Sequence, residues 1–209
     1  MKKNIKICAV SDTHSYQWDV KIPKCDIFIF AGDAGLTDNV RAWDFYNWLD
    51  NLDACYKVIV MGNHDSICER VGKEICKEFF NNAIYLENQS VEIEGIKIWG
   101  SPFSKMFNNW YFMRYDNELK EIWDTIPEDT DIVVTHGPAF GWLDRVGWKN
   151  EGSQTLRDRL EEIKPKYHIC GHIHSEHNIV QKRNTIIVNA SILDNDYKMS
   201  FEPIVFDYE

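Results

Sequence analysis

The chain has 209 residues, 23 Lys plus Arg against 33 Asp plus Glu, a formal net charge of −10 and 44% apolar residues. A chain of this size buries roughly 70% of its unfolded surface, so one globular domain spanning residues 1–209 is expected rather than a disordered segment. The acidic balance argues against a binder of long nucleic acid, which needs clustered Lys and Arg to displace counterions, and any phosphate ligand would need another source of positive charge.

No run approaches the ~20 apolar residues of a membrane span, and Met1-Lys2-Lys3-Asn4 is followed by a strand-like run rather than a secretory pattern. The six cysteines (Cys8, Cys25, Cys55, Cys68, Cys76, Cys170) form no Cys-x-x-Cys pair. They read as reduced thiols, which together with the missing leader predicts a cytoplasmic protein.

In chain order, the apolar runs Ile5 to Val10, Ile27 to Phe30 and Tyr56 to Met61 predict buried strands. Between the second and third, Phe45, Trp48, Leu49 and Leu52 repeat at helical spacing behind Thr37 or Asp38 as cap. Ile67, Val71, Ile75 and Phe79 at i+4 spacing predict a further helix. Val91 to Trp99 alternates around Glu94-Gly95, as a hairpin does. Asp131 to Thr135, Tyr167 to Cys170, Thr185 to Val188 and Pro203 to Phe206 predict more strands, with a helix carrying Leu156, Leu160 and Ile163 ahead of Pro165. Strands alternating with helices point to an α/β fold of stacked sheets covered by helices.

Metal-capable clusters end these strands: Asp12-Thr13-His14, Gly32-Asp33, Gly62-Asn63-His64-Asp65, Thr135-His136-Gly137-Pro138 and Gly171-His172-Ile173-His174. In open α/β sheets, ligand sites gather beyond the carboxyl ends of strands, so segments far apart in sequence can share one pocket. Each cluster taken alone has a plain structural reading, such as a helix cap, a turn or a satisfied histidine. Together they would leave like carboxylates repelling and imidazoles unpaired unless cations lay among them.

Read in order, these five clusters resemble the calcineurin-like metallophosphoesterase superfamily over nearly the whole chain. Trp99-Gly100-Ser101-Pro102-Phe103, Phe107 to Phe112, Thr135 to Phe140 and Val188-Asn189-Ala190-Ser191 are similar to the metallophosphoesterase-domain-containing, fetal-brain 239-like phosphodiesterases. The resemblance implies a four-layer α/β/β/α sandwich of two mixed β-sheets flanked by helices, with two divalent metal ions. Asp12, His14, Asp33 and His174 would hold the first ion, and Asp33 would bridge to a second held by Asn63, His136 and His172. It also implies that His64 stabilises the phosphoryl group or protonates the leaving oxygen, with Asp65 orienting it.

Two divalent cations less the charge of Asp12 and Asp33 leave about +2 for a phosphate ester and a hydroxide. Metals roughly 3.5 to 4 Å apart polarise phosphoryl oxygens and activate a bridging water. An imidazole-rich set favours Mn, Fe, Zn or Ni over Mg and Ca, and manganese is the first expectation because relatives commonly work with it. Among the aromatic residues after Trp99, the segment around Phe103, Asn109 and Trp110 is a candidate platform for a base or another planar leaving group, although most of its rings read as core. His168 and His177 match no cluster and read as structural.

The expected activity is hydrolysis of a small phosphate diester, with 2',3'-cyclic nucleotides as the class that the resemblance implies. A phosphomonoesterase of the same fold is the nearest alternative, and a noncatalytic scaffold a further one. Asp33-Ala34-Gly35-Leu36-Thr37-Asp38-Asn39 departs from the Asp-Arg-Gly continuation of protein serine/threonine phosphatases, which disfavours that class. No membrane or long nucleic acid partner is expected, and the sequence leaves the oligomeric state open.

Overall fold

The computed structural model describes residues 4–208. In chain order its elements are β1 (Ile5–Val10), β2 (Cys25–Ala31), α1 (Asn39–Asp50), β3 (Ala54–Val60), α2 (Ser66–Val71), α3 (Lys73–Phe79), β4 (Ile84–Tyr85), β5 (Gln89–Ile93), β6 (Ile96–Ser101), β7 (Ser104–Lys105), β8 (Met113–Arg114), α4 (Asp116–Trp123), β9 (Ile132–Thr135), β10 (Arg145–Val146), β11 (Lys149–Asn150), α5 (Gln154–Ile163), β12 (Tyr167–Cys170), β13 (Asn178–Lys182), β14 (Thr185–Asn189) and β15 (Ile204–Tyr208). One sheet runs in the order β15-β1-β2-β3-β4 and the other β13-β14-β12-β9-β6-β5. Parallel pairing holds the centre of each, while β15, β13 and β5 join antiparallel. No helix among the described residues is long and apolar enough to cross a membrane.

The layering follows from the two-residue period of a strand, which sends successive side chains to opposite faces. Ile7, Ala9, Ile27 and Ile29 of the first sheet share a cluster with Ile98, Ile132, Val134 and Ile169 of the second. Their neighbours face outward, where the aromatic residues collect: Phe28 meets Trp48 of α1 at 5.6 Å between ring centroids and Phe30 meets Phe45 at 4.9 Å. Across the other sheet, Trp99 meets Trp123 of α4 at 6.1 Å. Branched aliphatics thus fill the space between sheets and large rings fill the deeper space under helices, which gives the four-layer α/β/β/α arrangement.

The Glu94-Gly95 hairpin forms as its sequence predicts, with both residues at positive φ (52° and 78°), and Asp38 caps α1 by accepting the Arg41 N–H at 3.0 Å. Two readings change. The helix predicted through Phe79 is broken at Gly72, whose φ of 87° no helix accommodates, into α2 and α3. The break turns the two halves so that Cys68, Cys76 and Phe80 are buried, while Val71 and Ile75 of the i+4 stripe are 39% and 56% exposed. Helix α4 and the edge strand β13 carry signals too short or too polar to be read from periodicity: α4 buries only Leu119 and Trp123, and four of the five β13 residues are exposed. The cysteines are free, and all but Cys55 are buried.

His168, on β12, is fully buried. The Thr135 hydroxyl donates to the Gly137 carbonyl (2.6 Å), so the His168 Nε2–H donates to Thr135 Oγ1 (2.9 Å) and Nδ1 is left as an unpartnered lone pair. Burial pushes this imidazole down from its ordinary 6.5 to about 3. The unfolded chain therefore binds a proton here that the folded chain refuses, and stability should fall as pH drops from 6.5 toward 3. Denaturant titrations across this range should show a shallower acid loss in His168→Gln than in the parent; parallel curves would remove His168 as the cause.

Candidate metal centre

The five clusters converge at the carboxyl ends of β1, β2, β3, β9 and β12. Two contacts between the sheets bring these ends together: the bridge between Ser11 and Ser191 and the hydrogen bond from Ser11 N–H to the Ala190 carbonyl (2.9 Å). The loops are then locked to one another. Asp12 N–H donates to Gly32 (2.8 Å), His14 N–H to the Asp33 carbonyl (3.0 Å) and Gly171 N–H to His136 (3.0 Å). Asp12, His14, Asp33 and His172 all hold positive φ (55°, 42°, 61° and 67°), a conformation that side-chain-bearing residues seldom keep and that concentrates at functional sites. Close approach also requires glycine at 171, where an added Cβ would collide with the side chains of Ser11 and Asp12.

Three overlapping groups of donors result: Asp12, His14 and His174; His14, Asp33 and His64; and Asp33, His136 and His172. His174 Nε2 lies 3.4 Å from Asp12 Oδ1 and 3.3 Å from His14 Nε2, while His136 Nε2 lies 3.3 Å from Asp33 Oδ2 and 3.0 Å from Asn63 Oδ1. Donors bound at ~2.0–2.2 Å to one cation stand roughly 3.0–3.5 Å apart, which is the spacing seen here.

The hydrogen-bonding pattern fits a cation as well. His136 Nδ1 faces the Ala31 carbonyl at 2.9 Å and His174 Nδ1 faces the Asp194 carbonyl at 3.0 Å, so in each ring Nδ1 carries a proton and Nε2 is the nitrogen turned toward the carboxylates, where either a second proton or a metal ion can meet it. The electrostatics agree. Burial lowers His136, but the charge of Asp33 and its hydrogen bond outweigh this and raise it to about 9. Burial likewise opposes ionisation of Asp12 and Asp33, yet the surrounding histidines hold both carboxyls below their ordinary value. His172 is pushed down to about 4 by burial and then by His136. The buried carboxylates thus draw positive charge into the centre, and the Nε2 atoms of His136 and His174 stand where a metal would take the place of that proton.

A cavity of about 330 Å³ opens on the centre, lined by Asp33, Asn63, His64, His172 and His174. His64 is half-buried, its ring 4.9 Å from His14 and 4.7 Å from Trp110, and its backbone N–H donates to Asp33 Oδ1 at 2.8 Å. Asp65 turns away from His64. Its buried carboxylate accepts the backbone N–H groups of Asp33, Gly35, Leu36 and Gly62 at 2.8–3.0 Å, tying the β2 and β3 loops together. Trp110 and Phe107 line the cavity. Asn109 is exposed and Phe103 is buried against Phe112 with Arg114 over its ring, and neither is part of the lining.

Sequence reasoning missed two residues. Asp194 supplies the carbonyl that orients His174, and Tyr197 packs edge-on to both His14 and His174 (4.9 and 5.1 Å). Burial, then the charges of Asp33 and Asp12, raise the Tyr197 phenol above its ordinary value. Both follow β14, whose carboxyl end opens on the same edge; that position is the one signal that could have drawn attention to them.

The model of the calcineurin-like phosphoesterase family matches residues 5–176. Metallophosphoesterase domain-containing protein 1 of Homo sapiens is 32% identical over 97% of this chain and 70% of its own length. UPF0046 protein K07C11.7 of Caenorhabditis elegans is 29% identical over 97% of this chain and 74% of its own. Among solved structures, the phosphopantetheinyl hydrolase of Mycobacterium tuberculosis is similar in fold, with a TM-score of 0.64 at 12% identity, covering 94% of this chain and 92% of that one. With its donor residues gathered at the strand ends and the family model spanning most of its length, this chain belongs to the metal-dependent calcineurin-like phosphoesterase family.

Proposed function

We propose that the protein is a binuclear phosphodiesterase that hydrolyses small phosphate diesters, 2',3'-cyclic nucleotides among them. The observation that carries this reading is the position of Asp33, whose Oδ2 lies 3.7 Å from His14 Nε2 and 3.3 Å from His136 Nε2, so that one carboxylate faces both donor groups. Asp12, His14, Asp33 and His174 would hold one ion and Asp33, Asn63, His136 and His172 the other. Bound there, with manganese the first choice and Fe, Zn or Ni the alternatives, the ions supply the charge that phosphoryl oxygens need and lower the pKa of a bound water. His64, at the cavity wall, stabilises the phosphoryl group or gives its proton to the leaving oxygen.

The cavity supports a small ester, its 330 Å³ lying at the lower end of the range for small-molecule sites. Lys105 is the only Lys or Arg among the described residues lining it. This shortage of fixed positive charge favours a singly charged diester over a doubly charged monoester. Trp110 and Phe107 offer apolar faces to a second ester substituent. A reducing, cytoplasmic setting is part of the proposal and suits the free thiols.

The test is a panel of phosphomonoesters, linear diesters and cyclic nucleotides assayed with the manganese-loaded protein. Diesters should be turned over at a kcat/KM at least tenfold above that for monoesters, and the reverse order would replace this reading with a phosphomonoesterase. In the same panel, Trp110→Ala should raise KM for cyclic nucleotides about 5- to 150-fold, the range expected for loss of ~1–3 kcal/mol of stacking. A nucleotide KM unchanged by the substitution would leave Trp110 a packing role against His64 and Phe107.

A further inference from the structure

Tyr197 is a cavity residue that lies outside the strand-end clusters yet packs directly on two of their histidines. It lines the cavity, and its ring stands nearly perpendicular to those of His14 and His174, at interplanar angles of 74° and 75°. Its hydroxyl has no hydrogen-bond partner within the chain among the described residues.

The backbone beneath it is built to hold that position. Tyr197 keeps a φ of 59°, which a bulky residue rarely adopts. Its N–H donates to the Asp194 carbonyl at 2.9 Å. The Asp194 carboxylate accepts the N–H groups of Asp196 (2.9 Å) and Lys198 (3.0 Å) and the Ser200 hydroxyl (2.6 Å). The same Asp194 carbonyl receives His174 Nδ1–H. One turn therefore orients a donor histidine and fixes the phenol beside it.

We propose that Tyr197 is a substrate-contacting residue whose phenolic O–H donates to a phosphoryl oxygen of the bound ester. The inference rests on the reading of the cavity as a phosphate-ester site and adds to it a residue outside the donor set. A phosphate ester presents acceptor oxygens only, and a cavity with a single lysine must meet some of them with neutral donors. A ring that served packing alone would need no hydroxyl, so phenylalanine would do as well. The hydroxyl is the polar group that Tyr197 adds beside His14 and His174, in a cavity whose other neutral polar side chains are those of Asn63, Ser175 and Asn195.

The experiment is calorimetric binding of inorganic phosphate to the manganese-loaded protein and to its Tyr197→Phe and Tyr197→Ala variants, with metal content measured in each. Tyr197→Phe should keep the metal content and thermal midpoint of the parent and bind phosphate about tenfold more weakly, as expected for loss of one hydrogen bond to a charged group. Tyr197→Ala should bind at least as weakly. Equal phosphate affinity in the parent and Tyr197→Phe overturns the proposal, as does a parent that binds no phosphate. Metal loss in Tyr197→Phe overturns it too, since the residue would then support His14 and His174 instead.

Diester hydrolysis by the parent separates the two levels. If the parent hydrolyses diesters and Tyr197→Phe matches it in phosphate affinity, the role of Tyr197 falls alone. If the parent is inactive on diesters yet its phosphate binding depends on the hydroxyl, the phosphodiesterase reading falls and Tyr197 remains a phosphate contact.

Discussion

Replacing Asp33 by Asn is expected to lower diester hydrolysis by about 10³-fold or more, a loss of ~4 kcal/mol of transition-state stabilisation, and to reduce the metal retained after dialysis. Asp33 is 2% exposed and its two oxygens do different things: Oδ1 accepts the His64 N–H, and Oδ2 faces His14 and His136. An amide of the same shape can keep the first contact while losing the charge that the second requires. The substitution thus separates charge from architecture. Circular dichroism and the thermal midpoint should change little, while metal content and turnover fall together. An Asp33→Asn protein that keeps its full metal content and activity would show that the two donor groups do not share this carboxylate, and the binuclear reading would fail.

His64→Ala should give the other large effect, with a different signature. A positioned proton donor contributes about 10²- to 10⁴-fold to the rate, so kcat should drop by that amount. Metal content should stay near that of the parent. The His64 backbone N–H, which holds Asp33 Oδ1, is retained in alanine, and the lost side chain contacts only the exposed edge of the centre through His14 and Trp110. His64 also stands close enough to His14 and Asp33 to complete a donor group with them. Atomic absorption therefore decides between two roles. Lost metal in His64→Ala would make the residue a ligand, whereas retained metal with slow turnover assigns it to the phosphoryl group or the leaving oxygen. Pairing the substrate panel with a series of leaving groups sharpens the distinction, because a proton donor matters most for the most basic leaving oxygen.

The strands that carry the centre are legible in the sequence because they are buried on both faces. Ile5 to Val10, Ile27 to Phe30 and Tyr167 to Cys170 are almost entirely apolar, as two-sided burial demands, and the polar cluster that ends each run marks the sheet edge. The helices were less faithful. The i+4 row of Ile67, Val71, Ile75 and Phe79 has the spacing of a helix face, but Gly72 interrupts the helix that would align it, and the buried contacts go to Cys68, Cys76 and Phe80. Local periodicity cannot register a break whose cause is the packing of two short helices against a sheet. The aromatic segment after Trp99 divided in the same way. Phe103 and Phe112 entered the core, while Phe107 and Trp110 remained at the cavity, a partition set by which way the loop turns rather than by composition.

Within the centre, sequence alone determined the inventory: two carboxylates, one amide and an excess of imidazoles at strand ends, in a chain of net charge −10. Side-chain chemistry and the rule that parallel strands open their ligand sites at one edge suffice for that. Only the tertiary structure decided which nitrogen His136 and His174 offer, because the carbonyls that fix them come from Ala31 and Asp194, far away in the chain or on an unremarked turn. It also decided that Asp65 binds four backbone N–H groups instead of His64, and that Tyr197 reaches the cavity. Hydrogen bonds between segments brought together by sheet packing leave no periodic trace in the residues that make them, so the donors could be named from the sequence while their orientation could not.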